Sequence, residues 1–167
     1  MAIPPLRAVA RACNVSAAAV YRHFSSQSAL TRALLATQYE AFEAAVLHDD
    51  DPARSAGDRA RRLVRAYVRW GLTNPGMYQL LFESADQLGA DSGIGDVAHE
   101  TIELAQQLLV AGGGPDGRPL TPDEAACQSE RIWFGLHGIV SLRIHKPAQE
   151  WLTDPEGEAE RLVGALP

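Results

Sequence analysis

Four arginines, Arg7, Arg11, Arg22 and Arg32, stand in the first 39 residues, and no carboxylate stands among them. Cations without neighbouring acids suit a phosphate surface, because each guanidinium can displace a counterion there. The rest of the chain is of opposite character. Residues 40–167 carry 11 bases against 21 acids, so a segment of local charge +4 is joined to one of −10. The net charge of −6 conceals this asymmetry and, taken alone, argues against nucleic acid.

Patterns for other chemistry are weak. His99-Glu100-Thr101-Ile102-Glu103 approximates a zinc-protease helix, but glutamate occupies the place of the second histidine. Gly112-Gly113-Gly114 lacks the lysine and hydroxyl that complete a phosphate loop. Asn14-Val15-Ser16 fits a glycosylation site with nothing else to indicate secretion. Cys13 and Cys127 lie in apolar helical patterns without a histidine partner in sequence. Two cysteines make no disulfide framework, and a reduced, cytoplasmic setting is the simplest reading. No apolar run approaches the ~20 residues of a membrane helix, and MAIPPLRAVA lacks a secretory signal. The expectation is no catalytic residue, no metal, no cofactor and no membrane partner, hence not an enzyme.

The elements that must position the arginines are helical throughout. Pro4 and Pro5 hold off helix until Leu6, after which Leu6, Val9, Ala10 and Cys13 repeat at helical spacing. Asn14, tolerant of left-handed backbone, stops this helix, and Ser16 can cap a second one over 17–24. Ser28 can cap a third running to about 48, striped by Leu30, Leu34, Leu35, Tyr39, Phe42 and Val46. A polar linker follows to about Gly57. Further helices are expected over 58–73, from Pro75 through Phe82, over 96–111, over 122–145 and near 156–166, with loops at 86–95 and 112–119. No segment alternates as a strand would. The fold class is therefore all-α, and 167 residues with 46% apolar content suffice for one domain or two small ones.

The helix of 122–145 carries extra information. Ile132, Trp133, Phe134, Leu136, Ile139, Val140, Leu142 and Ile144 make it apolar nearly all round, so it needs cover on more than one side. A two-fold homodimer through this helix and the last one supplies that cover, with Phe134, Ile139, Leu142 and Leu162 as interface residues. A central helix in a monomeric bundle is the alternative.

Two short basic helices joined by a tight turn fit a helix-turn-helix, the first across the DNA backbone and the second in the major groove. Ala10, Asn14 and Val15 suit it, as a small residue at the helix crossing, a turn and a buried residue. Two helices of an ordinary bundle would give the same spacing. LRAVARACNVSAAAVYRHFSSQSAL goes further, and strongly resembles the DNA-binding domain of the TetR family of bacterial repressors, through Val9-Ala10, Val15-Ser16, Tyr21-Arg22-His23-Phe24 and Ser26 to Leu30. NPGMYQLLF and IWFGLHGIVSL resemble the regulatory domain of a subgroup named WHG for its Trp, His and Gly, here Trp133, His137 and Gly138. The resemblance implies an operator-binding domain over 1–48 and a regulatory, ligand-binding and dimerisation domain over 56–167.

It also implies residue roles. Tyr21 and His23 match positions that donate to phosphates, which set register without reading sequence. Arg22 can take a phosphate or a guanine edge. Ser16 caps the helix and touches phosphate, Ala17 and Ala18 offer only methyl groups, suited to thymine methyls or to close packing, and Phe24 locks the second helix onto the third. Two positions depart from the family pattern: Asn14 stands where glycine is usual, and Gln27 where a lysine would make a charge-assisted phosphate contact. The family's first helix precedes the LRAVA segment and is not in this sequence. Its absence is expected to uncover Leu6, Val9 and the 28–48 helix and to impair DNA binding, leaving as a second reading a helical dimerisation or ligand-binding module.

In this family the second domain binds a small molecule that releases the repressor from its operator by a population shift. Candidate pocket walls are Trp70, Met77, Tyr78, Phe82, Trp133 and His137, each of which also reads as core, with His137 better explained as an internal hydrogen-bonded histidine. The mix favours a neutral or weakly polar organic effector.

Overall fold

The structure, a computed structural model, describes residues 5–83, 99–112 and 118–164. Among them the regular elements are all helical: α1 (Leu6–Ala12), α2 (Ala17–His23), α3 (Gln27–Leu47), α4 (Ala56–Thr73), α5 (Pro75–Tyr78), α6 (His99–Gly112), α7 (Pro122–His145) and α8 (Pro155–Gly164). This is the expected fold class. The expected loop at 86–95, most of the glycine-rich loop and residues 165–167 lie outside the described residues.

Helix starts follow side-chain caps. Ser55 accepts from the Asp58 amide at 3.2 Å and opens α4. Ser26, not Ser28, caps α3, accepting from the Ala29 amide at 3.1 Å; a cap must precede the first helical residue, and that residue is Gln27. Asn74 closes α4, its side chain donating to the Trp70 carbonyl at 3.0 Å, and Pro75 begins α5 where a missing N–H costs nothing. The helix expected through Phe82 changes pitch, because Gln79–Glu83 forms a π-helical turn.

Two compact units partition the chain, one of residues 1–41 with 76–98, the other of 42–75 with 99–167. In the first, Leu35, Tyr39, Tyr78, Leu80 and Leu81 are buried, and Phe82 lies 5.0 Å from Tyr78 and 6.4 Å from Tyr39, ring to ring. In the second, α4 packs against α6, α7 and α8. Leu63, Val64, Tyr67 and Val68 form its buried face, and Val68 is wholly enclosed. Each such side chain contributes roughly 1.5–3 kcal/mol. Phe42 sets its ring edge-on to Tyr67 and Trp70, at 5.7 and 4.9 Å. Gly135 lets α8 approach α7 closely: a Cβ there would stand 2.5 Å from Leu162 Cδ1.

Carboxylates fasten the helix ends of this unit. Glu43 accepts from both the amide and the hydroxyl of Thr101 in the first turn of α6, at 3.2 Å each. At α7, Thr121 and Glu124 form a capping box, and Arg118 grips the Glu124 carboxylate with two nitrogens at 2.8 and 3.1 Å. Arg118, then the Thr121 amide and hydroxyl, hold the Glu124 carboxyl down to about 2. A carboxyl depressed in the folded state stabilises above its ordinary value of 4.5, and that contribution is lost as pH falls towards 2. We expect an NMR titration to place the Glu124 midpoint near the lower value, and Arg118→Gln to move it up towards the ordinary one.

Candidate nucleic-acid interface

The basic segment is built on a very small core. Leu6 and Ala10 of α1 and Val20 of α2 are buried together, and Ala17, Phe24 and Leu30 pack against them. Between the helices the chain must reverse within four residues. Cys13 still donates to the Val9 carbonyl at 2.9 Å, and Val15 then donates to the Ala10 carbonyl at 3.0 Å. Closing that turn puts Asn14 at φ 54°, the left-handed region where glycine or asparagine is cheapest. The asparagine therefore takes the backbone expected of the glycine it replaces. Ser16 accepts from the Ala19 amide at 3.1 Å and starts α2.

With Val20 turned inward, α2 turns a polar face outward. Ser16, Ala18, Tyr21, Arg22 and His23 are exposed, Tyr21 at 50%. Arg7, Arg11 and Arg32 are exposed in the same unit, and so is Gln27 in the first turn of α3. No carboxylate of residues 1–39 neutralises these guanidinium groups. The surface can offer phenol, imidazole and guanidinium donors to phosphate oxygens, with the small Ala18 beside them for close approach.

Two expectations need correction, and a third resolves onto one of its alternatives. Ala17 is half-buried against the α1–α2 core, which is the close-packing alternative of its expected role. Val15, expected to be buried, is 48% exposed, because the left-handed turn spends its backbone on Ala10 and leaves its side chain outside. Leu6, expected to lose its cover, is only 5% exposed, and Val9 is half-buried, since Val20, Phe24 and Leu30 close over that side.

The six pocket candidates are distributed between the two units. Met77, Tyr78 and Phe82 belong to the first, where Tyr78 is completely enclosed and Met77 and Phe82 are half-buried. Trp70, Trp133 and His137 belong to the second, Trp70 against Phe42, and Trp133 beside the half-buried His137 at 6.0 Å between rings. Of the proposed interface residues, Phe134 and Leu142 are more than half exposed, whereas Ile139 and Leu162 are half-buried, Leu162 over Gly135 of its own chain. Among the described residues no group of three His, Cys, Asp or Glu side chains could hold a metal ion, and no helix is long and apolar enough to cross a membrane. The side chains of His99 and Glu100, in the motif set aside above, lie outside the described residues.

Two short helices about a left-handed turn, with an acid-free exposed face on the second, define a helix-turn-helix DNA-binding protein. Comparison with known proteins specifies the class. Residues 5–34 match the family model of bacterial regulatory proteins of the tetR family, and residues 60–166 match that of the tetracyclin repressor-like C-terminal domain. The HTH-type transcriptional regulator Rv1816 of Mycobacterium tuberculosis is 37% identical, in an alignment covering 96% of this chain and 82% of the relative. Among solved structures, a bacterial regulatory protein of the tetR family from Rhodococcus RHA1 superposes with TM-score 0.70 at 21% identity, covering 97% of this chain and 83% of that one. AibR in complex with isovaleryl coenzyme A and operator DNA does so with TM-score 0.69 at 19% identity, covering 98% and 86%. The chain belongs to the TetR family and is a helix-turn-helix transcriptional regulator, a class of proteins that are not enzymes.

The left-handed turn yields a direct test. Asn14→Gly should leave denaturant-unfolding stability unchanged or slightly raised, whereas Asn14→Val should lower it by about 1–2 kcal/mol, the cost of a side chain with a branched Cβ at that φ.

Proposed function

We propose that this regulator is a homodimeric repressor that leaves its operator when a small organic effector binds. In this reading residues 1–48 hold the DNA and 56–167 bind the effector and the second subunit. The observation that carries the DNA half is the outward face of α2, where Ser16, Ala18, Tyr21, Arg22 and His23 stand together and exposed. Tyr21, His23 and Ser16 serve as phosphate donors that set the register, Arg22 as the group able to reach a guanine edge, and Gln27 as a neutral contact at the start of α3. A cytoplasmic location follows from that role.

The dimer is supported by α7. Phe134, Gly138 and Leu142 recur every four residues, a single stripe, with both large side chains more than half exposed. A Cβ added at Gly138 would meet nothing within 4 Å in its own chain. A glycine in such a stripe has a use when another helix crosses closely over it, and a second α7 related by a two-fold axis meets that description. The adjacent Trp133 and His137, with Gly138, keep the likeness to the WHG subgroup. For the effector we propose a site within the second unit, with Trp70, Trp133 and His137 as its candidate walls, suited to a neutral or weakly polar compound. That one fold can hold both a ligand and operator DNA is illustrated by AibR, whose structure contains both.

Gel-shift titration over a range of salt tests the DNA half. Tyr21→Phe and His23→Ala should each weaken binding about equally on all sequences, whereas Arg22→Gln, which removes a charge, should also flatten the salt dependence and relax specificity at one base pair, by about 1–3 kcal/mol. Unchanged binding in all three variants would remove α2 from the interface. Sedimentation tests the dimer. Gly138→Leu should give monomers with an unchanged circular dichroism spectrum, because a Cβ at that position has open space within 4 Å; a surviving dimer would place the interface elsewhere.

A further inference from the structure

The body of −10 contains one strongly basic stretch that DNA reading does not use. From residue 54 to 69 the chain carries Arg54, Arg59, Arg61, Arg62, Arg65 and Arg69 against the single acid Asp58. The side of α4 opposite Val64 and Val68 carries most of these arginines. Arg54, Arg61, Arg62, Arg65 and Arg69 line one open groove of about 420 Å³, together with Asp49, Asp58 and Glu160.

We propose that this groove binds the diphosphate group of a small molecule, at a site separate from both the DNA face and the proposed effector site. The guanidinium groups are unequally satisfied. Arg65 is bonded to Glu156 and Glu160 at 3.0 and 2.9 Å, and Arg69 to Glu156 at 2.8 Å, so those two are positioned by α8. Among the described residues Arg61 pairs only with the exposed Asp58 of the preceding turn at 2.8 Å, a pair that solvent screens heavily. Arg62 makes no ion pair among the described residues. Two loosely committed forks therefore stand beside two fixed ones on neighbouring turns of a rigid helix. A planar fork with parallel N–H donors matches phosphate oxygens two at a time, and adjacent turns present a second fork to a second phosphate.

The carboxylates decide what size of anion fits. Asp49, Asp58 and Glu160 share the lining with the arginines, so an extended polyanion such as a nucleic-acid duplex would meet negative charge along its length. A compact diphosphate needs only Arg61 and Arg62, with Arg65 beside them.

Titration of the full chain with inorganic pyrophosphate at constant ionic strength, followed by calorimetry, tests the assignment. One site per chain is expected, weakened about tenfold or more in the Arg61→Gln/Arg62→Gln double variant. The double variant should melt at the temperature of the parent chain, since both residues are exposed. Asp58→Asn, which releases Arg61, should tighten the site. Adenosine diphosphate is the second arm: tighter binding than pyrophosphate assigns a nucleotide, equal binding the inorganic anion, and either supports the proposal. Equal pyrophosphate affinity in parent and double variant overturns it. So does an absence of pyrophosphate binding when the double variant loses affinity for a random-sequence duplex, because the groove would then hold nucleic acid.

Discussion

The second unit depends on the two faces of α4. One face buries Leu63, Val64, Tyr67 and Val68 against its neighbours, and the other carries arginines that would repel one another if left to themselves. The repulsion is offset locally rather than by burial. Glu156 accepts from both Arg65 and Arg69, Glu160 from Arg65, and Asp50 takes Arg59 in a two-bond pair at 2.8 Å. Each exposed pair is worth little alone, on the order of 0–1 kcal/mol. As a set they determine where α8 lies on α4, because Glu156 must face two guanidinium groups one turn apart. The Glu156 carboxyl sits below its ordinary range chiefly through Arg69, and burial only partly opposes this.

The DNA-reading segment is organised the opposite way. No carboxylate stands among its own residues, and its core is three buried side chains with three more packed against them. So little apolar area could not tolerate strain in the connecting turn. Asn14 can adopt φ 54° at modest cost, and the Ser16 cap satisfies an α2 amide that would otherwise need water. The arrangement keeps α2 fixed while Tyr21, Arg22 and His23 stay exposed on a segment that contains no carboxylate.

Most helices were legible because their signals are local. Asn14, Ser16, Pro75 and the Thr121–Glu124 pair act within four residues, which a sequence displays directly. What sequence misplaced depends on more distant geometry. Ser26 and Ser28 are both acceptable caps, and packing of α3 chooses between them. Val15 followed an apolar pattern, yet its backbone bond to Ala10 turned its side chain outward. The π-helical turn at Gln79–Glu83 has no composition of its own. Glu156 lies 91 and 87 residues from the arginines it joins, a separation no spacing rule reaches. The exposed face of α2 was the most legible part of the candidate site, since charge and helical period both pointed to it. The aromatic pocket set was the least, because Tyr78 and Trp70 look identical in sequence whether they line a cavity or fill a core.

The charge asymmetry acquires a physical meaning from these differences. A body of −10 repels DNA at long range, and salt weakens that repulsion together with the attraction of the +4 segment. Paired arginines such as Arg59, Arg65 and Arg69 contribute little outward field, because their carboxylates sit within hydrogen-bond distance. The field felt by an approaching duplex is therefore set by the acid-free segment and by the surplus acids elsewhere. The acid-free segment, which carries α1 and α2, is therefore the part of the chain that the field of a duplex attracts before any hydrogen bond forms.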